Sequence, residues 1–122
     1  MNTLNAAAIK EIGRIRPDVA SHIKGLQDRH HVRKVGFSLR PAGFRENFGE
    51  GYRYKFFAPE GKVLATNMVT ESTLGAMNTG INYCVGQDTP PMPEGTWIVA
   101  DYLFLGKWYI SVTYVGQIAL AG

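Results

Sequence analysis

A chain of 122 residues, 45% apolar and 19% charged, is long enough to bury a core without crosslinks and too apolar to stay disordered. Its 13 Lys and Arg against 10 Asp and Glu give a net charge of +3, and the single cysteine, Cys84, excludes an internal disulfide framework. No apolar run is long enough for a secretory leader or a membrane span, so a cytoplasmic protein without membrane attachment is expected.

The first segment places Ala8, Ile9 and Ile12, then Val19, Ile23 and Leu26, at helical spacing. Pro17 interrupts the run, and proline belongs in the first turn of a helix rather than its interior. The pattern predicts a break near Gly13 to Arg16 and two short helices, about Leu4 to Ile12 and about Pro17 to Arg29. Asp18 then sits in the first turn of the second, where a negative charge suits the helix dipole.

Alternation with period two follows. In VRKVGFSLRP, Val35, Phe37 and Leu39 oppose Lys34, Ser38 and Arg40; in GYRYKFF, Tyr52, Tyr54 and Phe56 oppose Arg53 and Lys55. With PAGFRENFGEG between them, the two predict an antiparallel hairpin with a long tip carrying Arg45, Phe44 and Phe48. A turn at PEGK leads to a strand at KVLATNMV. TESTLGAMNTGINYC stays ambiguous, since Leu74, Met77 and Ile81 have helical spacing among glycines and β-branched residues. VGQDTPPMPEG reads as a loop. TWIVADYLFLGKWYISVTYV predicts a second hairpin turning at Leu105 to Lys107, with Trp108, Ile110, Val112 and Tyr114 on one side and Tyr109, Ser111 and Thr113 on the other. So uncharged a hairpin must lie inside a sheet or under a partner, and a homodimer through residues 96–115 is expected.

Charge divides the chain. Every Lys and Arg except Lys107 lies at or before Lys62, while Glu71, Asp88, Glu94 and Asp101 fall beyond it. A basic first half suggests an anionic partner, although small domains also carry uneven charge by chance.

Helix, tight turn, helix, strand, long loop, strand is an order that resembles the winged helix-turn-helix DNA-binding family. IKEIGRIRPDVASHIKGLQD, residues 9–28, is similar to its bihelical unit, with Gly13 and Val19 at the turn glycine and at the apolar position six residues later. VRKVGFSLRP and GYRYKFF resemble the wing, so that the likeness spans residues 6–57. It implies that Ser21 and Lys24 approach base edges of double-stranded DNA while Arg14, Arg16, Lys34, Arg40, Arg45, Arg53 and Lys55 hold phosphates.

A helical wheel at about 100° per residue agrees in part: Val19, Ile23, Leu26 and His30 cluster inward, and Ser21, Lys24, Gly25 and Asp28 face out. A thin outward side is what a major groove about 12 Å wide admits. An amphipathic helix packed on a sheet gives the same pattern, with Lys and Arg merely keeping the surface wet.

Other motifs point elsewhere less well. His30 and His31 are adjacent and diverge, so they do not form a zinc pair; His30 suits a core edge or a helix C-terminus. Glu60-Gly61-Lys62 reads as a turn rather than a nuclease element, and Cys84 as a small core residue rather than a nucleophile. GFRENFGEG lacks the ending of a phosphate-cradling loop, and Phe44 and Phe48 suit anchoring more than base stacking.

The expected fold is therefore α+β, two short N-terminal helices followed by a mainly antiparallel β-sheet of about five or six strands. Residues 1–58 would form a helix-turn-helix with a basic hairpin, and residues 59–122 a β-rich half for dimerisation or for a ligand or partner, as two regions or one compact unit. The expected function is a small cytoplasmic, non-enzymatic transcriptional regulator that binds DNA, with no catalytic residue, metal or cofactor. The alternative is a non-enzymatic interaction domain that binds protein or a small ligand through its sheet.

Overall fold

In the computed structural model, residues 2–45, 52–59 and 91–120 are described. Helix α1 spans Ala6–Ile15 and α2 spans Pro17–His30. Asn5 caps α1, its side-chain oxygen accepting from the Ala8 amide at 2.9 Å. The break is narrower than expected. Gly13 lies inside α1 and Arg16 alone is non-helical, because Pro17 occupies the first position of α2 and needs no amide partner there. A left-handed His31 (φ 56°) ends α2, its amide returning to the Gln27 carbonyl.

Among the described residues, five strands form one sheet in the order β1-β2-β5-β4-β3: β1 Asn2–Leu4, β2 Val35–Arg40, β3 Tyr52–Phe57, β4 Trp97–Phe104 and β5 Lys107–Val115. All neighbours run antiparallel except β2 and β5, which are parallel. The arrangement is α+β and mainly antiparallel, as expected. Strand β1 was not foreseen: Asn2, Thr3 and Leu4 pair with Phe37, Gly36 and Val35, so the chain enters α1 from a sheet edge.

The hairpin expected from residues 35 to 57 does not form. Among the described residues, β2 pairs with β1 and β5, whereas β3 pairs with β4, which puts two strands between them. The physical reason is local closure. β4 and β5 join through Leu105 and Gly106, both at positive φ (49° and 78°), with Phe104 opposite Lys107. That tight turn follows the twist of the strands it joins and closes at far less entropic cost than the long connection from β2 to β3. The second hairpin thus forms as predicted and takes the centre of the sheet.

Both faces of the sheet are packed. On the helix side Leu4, Ala8, Ile12, Val19, Ile23, Leu26, Val35, Phe37, Phe57, Trp97, Val99, Ile110 and Val112 form one buried cluster. Val19, Ile23 and Leu26 are the fully buried side chains of α2, at about 1.5–3 kcal/mol each. On the other side Tyr54, Phe56, Met92, Ile98, Ala100 and Val115 make a second cluster, with Phe44 against it. The Gly43 amide donates to the Met92 carbonyl at 2.8 Å and the Met92 amide to the Phe44 carbonyl at 2.9 Å, so Phe44 does anchor its loop.

The strand expected over residues 62–69 and the helical spacing of residues 71–83 lie outside the described residues, as do Phe48, Glu60, Lys62 and Cys84. Among the described residues, no helix is long and apolar enough to cross a membrane.

Candidate anion-binding surface

With Val19, Ile23 and Leu26 in the core, α2 turns Ser21, Lys24, Gly25 and Asp28 to solvent, and all four are exposed. This ridge is low at Ser21 and Gly25; a Cβ added at Gly25 would meet nothing within 4 Å. A groove borders it on each flank. Between α1 and α2 a groove of about 710 Å³ is lined by apolar Ile9, Gly13 and Ala20 and by cationic Lys10, Lys24 and Arg33, with no acidic residue. Between α2 and β3 a cleft of about 350 Å³ takes Ser21, His22, Arg29 and Lys55, with Asp18 as its acidic member. Ser21 lines both.

Among the described residues, Lys10, Lys24, Arg29, Arg33 and Lys55 form no ion pair with a carboxylate. Asp18 is already engaged: Arg16 reaches it at 2.9 and 3.1 Å, and this partner holds the Asp18 carboxyl below the usual range. Burial, with Lys55 and Arg29 adding like charge, pushes the His22 imidazole down to about 4, against a weaker opposing pull from Asp101. Its ring lies 5.6 Å from that of Phe57, over which the Lys55 ammonium also rests at 5.4 Å. His22 Nε2 is enclosed and has no hydrogen-bond partner among the described residues.

Further along the same helix is a contrasting cluster. Asp101 on β4 is buried (1% exposed) and stands directly across from Arg53 on β3. Its Oδ2 accepts from Arg53 Nη2 and, at 2.8 Å, from His30 Nε2, while Oδ1 is enclosed and has no partner among the described residues. The His30 ring stacks on Trp108 at 3.8 Å, and the Arg53 guanidinium lies 5.1 Å from the Trp108 ring centre. One carboxylate therefore ties the end of α2 to β3 and β4. A buried charge of this kind persists only when opposite charge and donors surround it.

The predicted contact residues separate into groups. Ser21 and Lys24 sit together on the ridge, and Lys55 faces the cleft beside them. Arg14 is exposed and pairs with Glu11 at 3.3 Å. Arg16 is turned inward, bonding Asp18 and donating to the Ala58 carbonyl at 2.8 Å, so it fastens the start of α2 to the end of β3. Arg53 is engaged by Asp101. Lys34 is exposed ahead of β2. Arg40 points to the opposite face of the sheet, over the Phe44 ring at 5.5 Å, and Arg45 follows in the exposed loop.

Lys34, Arg40, Arg53 and Lys55, expected to hold phosphates together on one basic hairpin, are thus divided between faces and between strands roughly 14 Å apart, three strand spacings. Lys10, His22, Arg29 and Arg33 were not singled out in sequence. Arg29 and His22 carry a signal there, for they fall on the shoulder of the helical wheel beside Gly25. Lys10 and Arg33 depend on how α1 and the exit from α2 pack. Asp101 also left a trace, as the one charge at an inward position in the alternation Trp97, Val99, Asp101.

Compared with family models, curated proteins and solved structures, the chain finds no match.

Proposed function

We propose that the protein is a non-enzymatic, cytoplasmic DNA-binding regulator that lays the outward side of α2 in the major groove of duplex DNA. The observation behind this is the α2 ridge itself, low at Ser21 and Gly25 and bordered on both flanks by cations that have no carboxylate partner among the described residues. Ser21 and Lys24 approach the base edges. Lys10 and Arg33 on one flank, and Arg29 and Lys55 on the other, meet phosphates of the two strands. A wing has no part in it, since β2 and β3 are unpaired with each other. Asp28, at the far end of the ridge, lies away from the phosphates.

Titration of random and selected duplexes by fluorescence at two salt concentrations tests this. Binding should fall steeply with salt, and Lys24→Ala should relax sequence preference. No binding at about 50 mM salt, where phosphate contacts are strongest, would remove the proposal.

A second reading, an interaction domain, is favoured by the tip of the β4–β5 hairpin. Leu103, Phe104, Leu105 and Tyr109 are exposed there, Leu105 to 87%. Since β4 and β5 are otherwise central in the sheet, the homodimer expected through residues 96–115 narrows to this tip. Light scattering of the protein and of Leu105→Ser checks it, and a monomer at all concentrations would defeat self-association.

A further inference from the structure

We infer that the cleft between α2 and β3 is a discrete site for one phosphoryl oxyanion, bound between Lys55 and Arg29 and accepting a hydrogen bond from His22. It deepens the picture of α2 as an anion-facing helix and rests on that picture, but it does not require the anion to belong to a duplex.

Four features of the cleft converge. Its volume of about 350 Å³ lies at the small end of ligand pockets, roughly 300–1,000 Å³, fitting a phosphoryl group with little attached. Its two cations arrive from different elements, the exposed Arg29 from α2 and the half-buried Lys55 from β3, and both line the same space. Its acidic member, Asp18, is engaged by Arg16 and competes only weakly with an incoming anion. Finally, the His22 ring has one nitrogen, Nε2, shut away without a partner among the described residues. A bare lone pair is the less costly occupant of that enclosed position than an unsatisfied N–H, so the neutral ring carries its proton on Nδ1. The Nδ1–H is then the donor left to meet the cleft.

Charge supports the same assignment. The groups around His22 are Lys55 from β3, Arg29 from its own helix, Arg16-paired Asp18 near the start of α2, and Asp101 from β4. Burial and the two cations keep the imidazole neutral when the cleft holds only solvent, with a pKa near 4. An oxyanion between the cations reverses part of that field and stabilises the imidazolium, so anion binding and protonation of His22 favour one another.

NMR titration of the His22 ring protons tests this in chloride and in inorganic phosphate at matched ionic strength. Phosphate should raise the His22 pKa by about one unit, equivalent to roughly tenfold tighter binding to the imidazolium form. Lys55→Ala and, independently, Arg29→Ala should each remove the phosphate-dependent part of the shift. Lys24→Ala, on the other side of the ridge, should leave it intact. An identical His22 titration in chloride and phosphate would overturn the site even if duplex DNA binds elsewhere on α2. A phosphate-dependent shift without duplex binding would uphold the site, identify its ligand as a small phosphorylated molecule, and remove the DNA proposal alone. Should both ligands shift His22, competition by phosphate against the duplex identifies the anion as a backbone phosphate.

Discussion

Helix α2 and strand β3 meet at two cationic clusters with opposite fates. At one, Arg53 and His30 converge on a buried carboxylate, Asp101, and stack on Trp108. At the other, Lys55 and Arg29 converge on His22, and the nearby Asp18 is taken by Arg16. Arg53 and Lys55 are neighbours on the same side of one strand. What separates them is the residue opposite: Arg53 faces Asp101 on β4, whereas Lys55 faces Val99. A cation supplied with its counter-ion by the fold belongs to the architecture. A cation packed into a cleft without one has its charge left for something outside.

That difference is open to measurement. Asp101→Ala should cause the largest change, about 2–3 kcal/mol lost in urea unfolding, because it leaves the buried His30 donor without its acceptor and releases the partly exposed Arg53. A loss below about 1 kcal/mol would mean that the cluster does not hold the helix to the sheet.

At the other cluster the effect appears through pH. His22 has a folded pKa of about 4, below its ordinary 6.5, so the unfolded chain binds more protons between these values. Stability should therefore be fully present above about pH 6.5 and decline as pH falls toward 4. With screening at a half-buried site allowed for, the His22 contribution is about 1–2 kcal/mol. Lys55→Ala should flatten that slope by raising the His22 pKa, and an unchanged slope would show that Lys55 and His22 are not coupled.

A smaller effect tests the ridge between the two grooves. Gly25 is mid-helix, exposed and without neighbours, so Gly25→Ala should stabilise the fold by about 0.5–1 kcal/mol. If a ligand needs close approach to that backbone, the same variant should bind it less well. Smallest of all, Arg29→Ala should leave stability within about 0.5 kcal/mol while it weakens anion binding. A large loss of stability instead would place Arg29 with the architecture, beside Arg53.

Much of this was legible in the sequence, unevenly and for physical reasons. The two helices and the second hairpin declare themselves through short-range periodicity, Pro17 and the Leu105–Gly106 turn, all local signals. The outward side of α2 follows from the wheel once Val19, Ile23 and Leu26 are placed inside. What periodicity does not carry is which strands become neighbours. The alternations at residues 35–40 and 52–57 were each right as strands, yet their pairing depended on β5 competing for the edge of β2. With that pairing went the basic hairpin, because only the partner strand tells Arg53 from Lys55. β1 was too short to show a period at all. The cleft around His22 needed the third dimension, since Arg29 and Lys55 are distant in sequence and adjacent only through packing.

The parallel pairing of β2 with β5 has a kinetic consequence. Gly36 must find Ser111, so the helices and β2 have no complete sheet to dock on until β5 has been synthesised. Loop closure across so much chain delays native contacts, and the greasy surfaces of Val35, Phe37 and α2 remain open in the meantime. A nascent chain halted before Lys107 should accordingly be a client for chaperones, acquiring its protease resistance in a single late step rather than element by element.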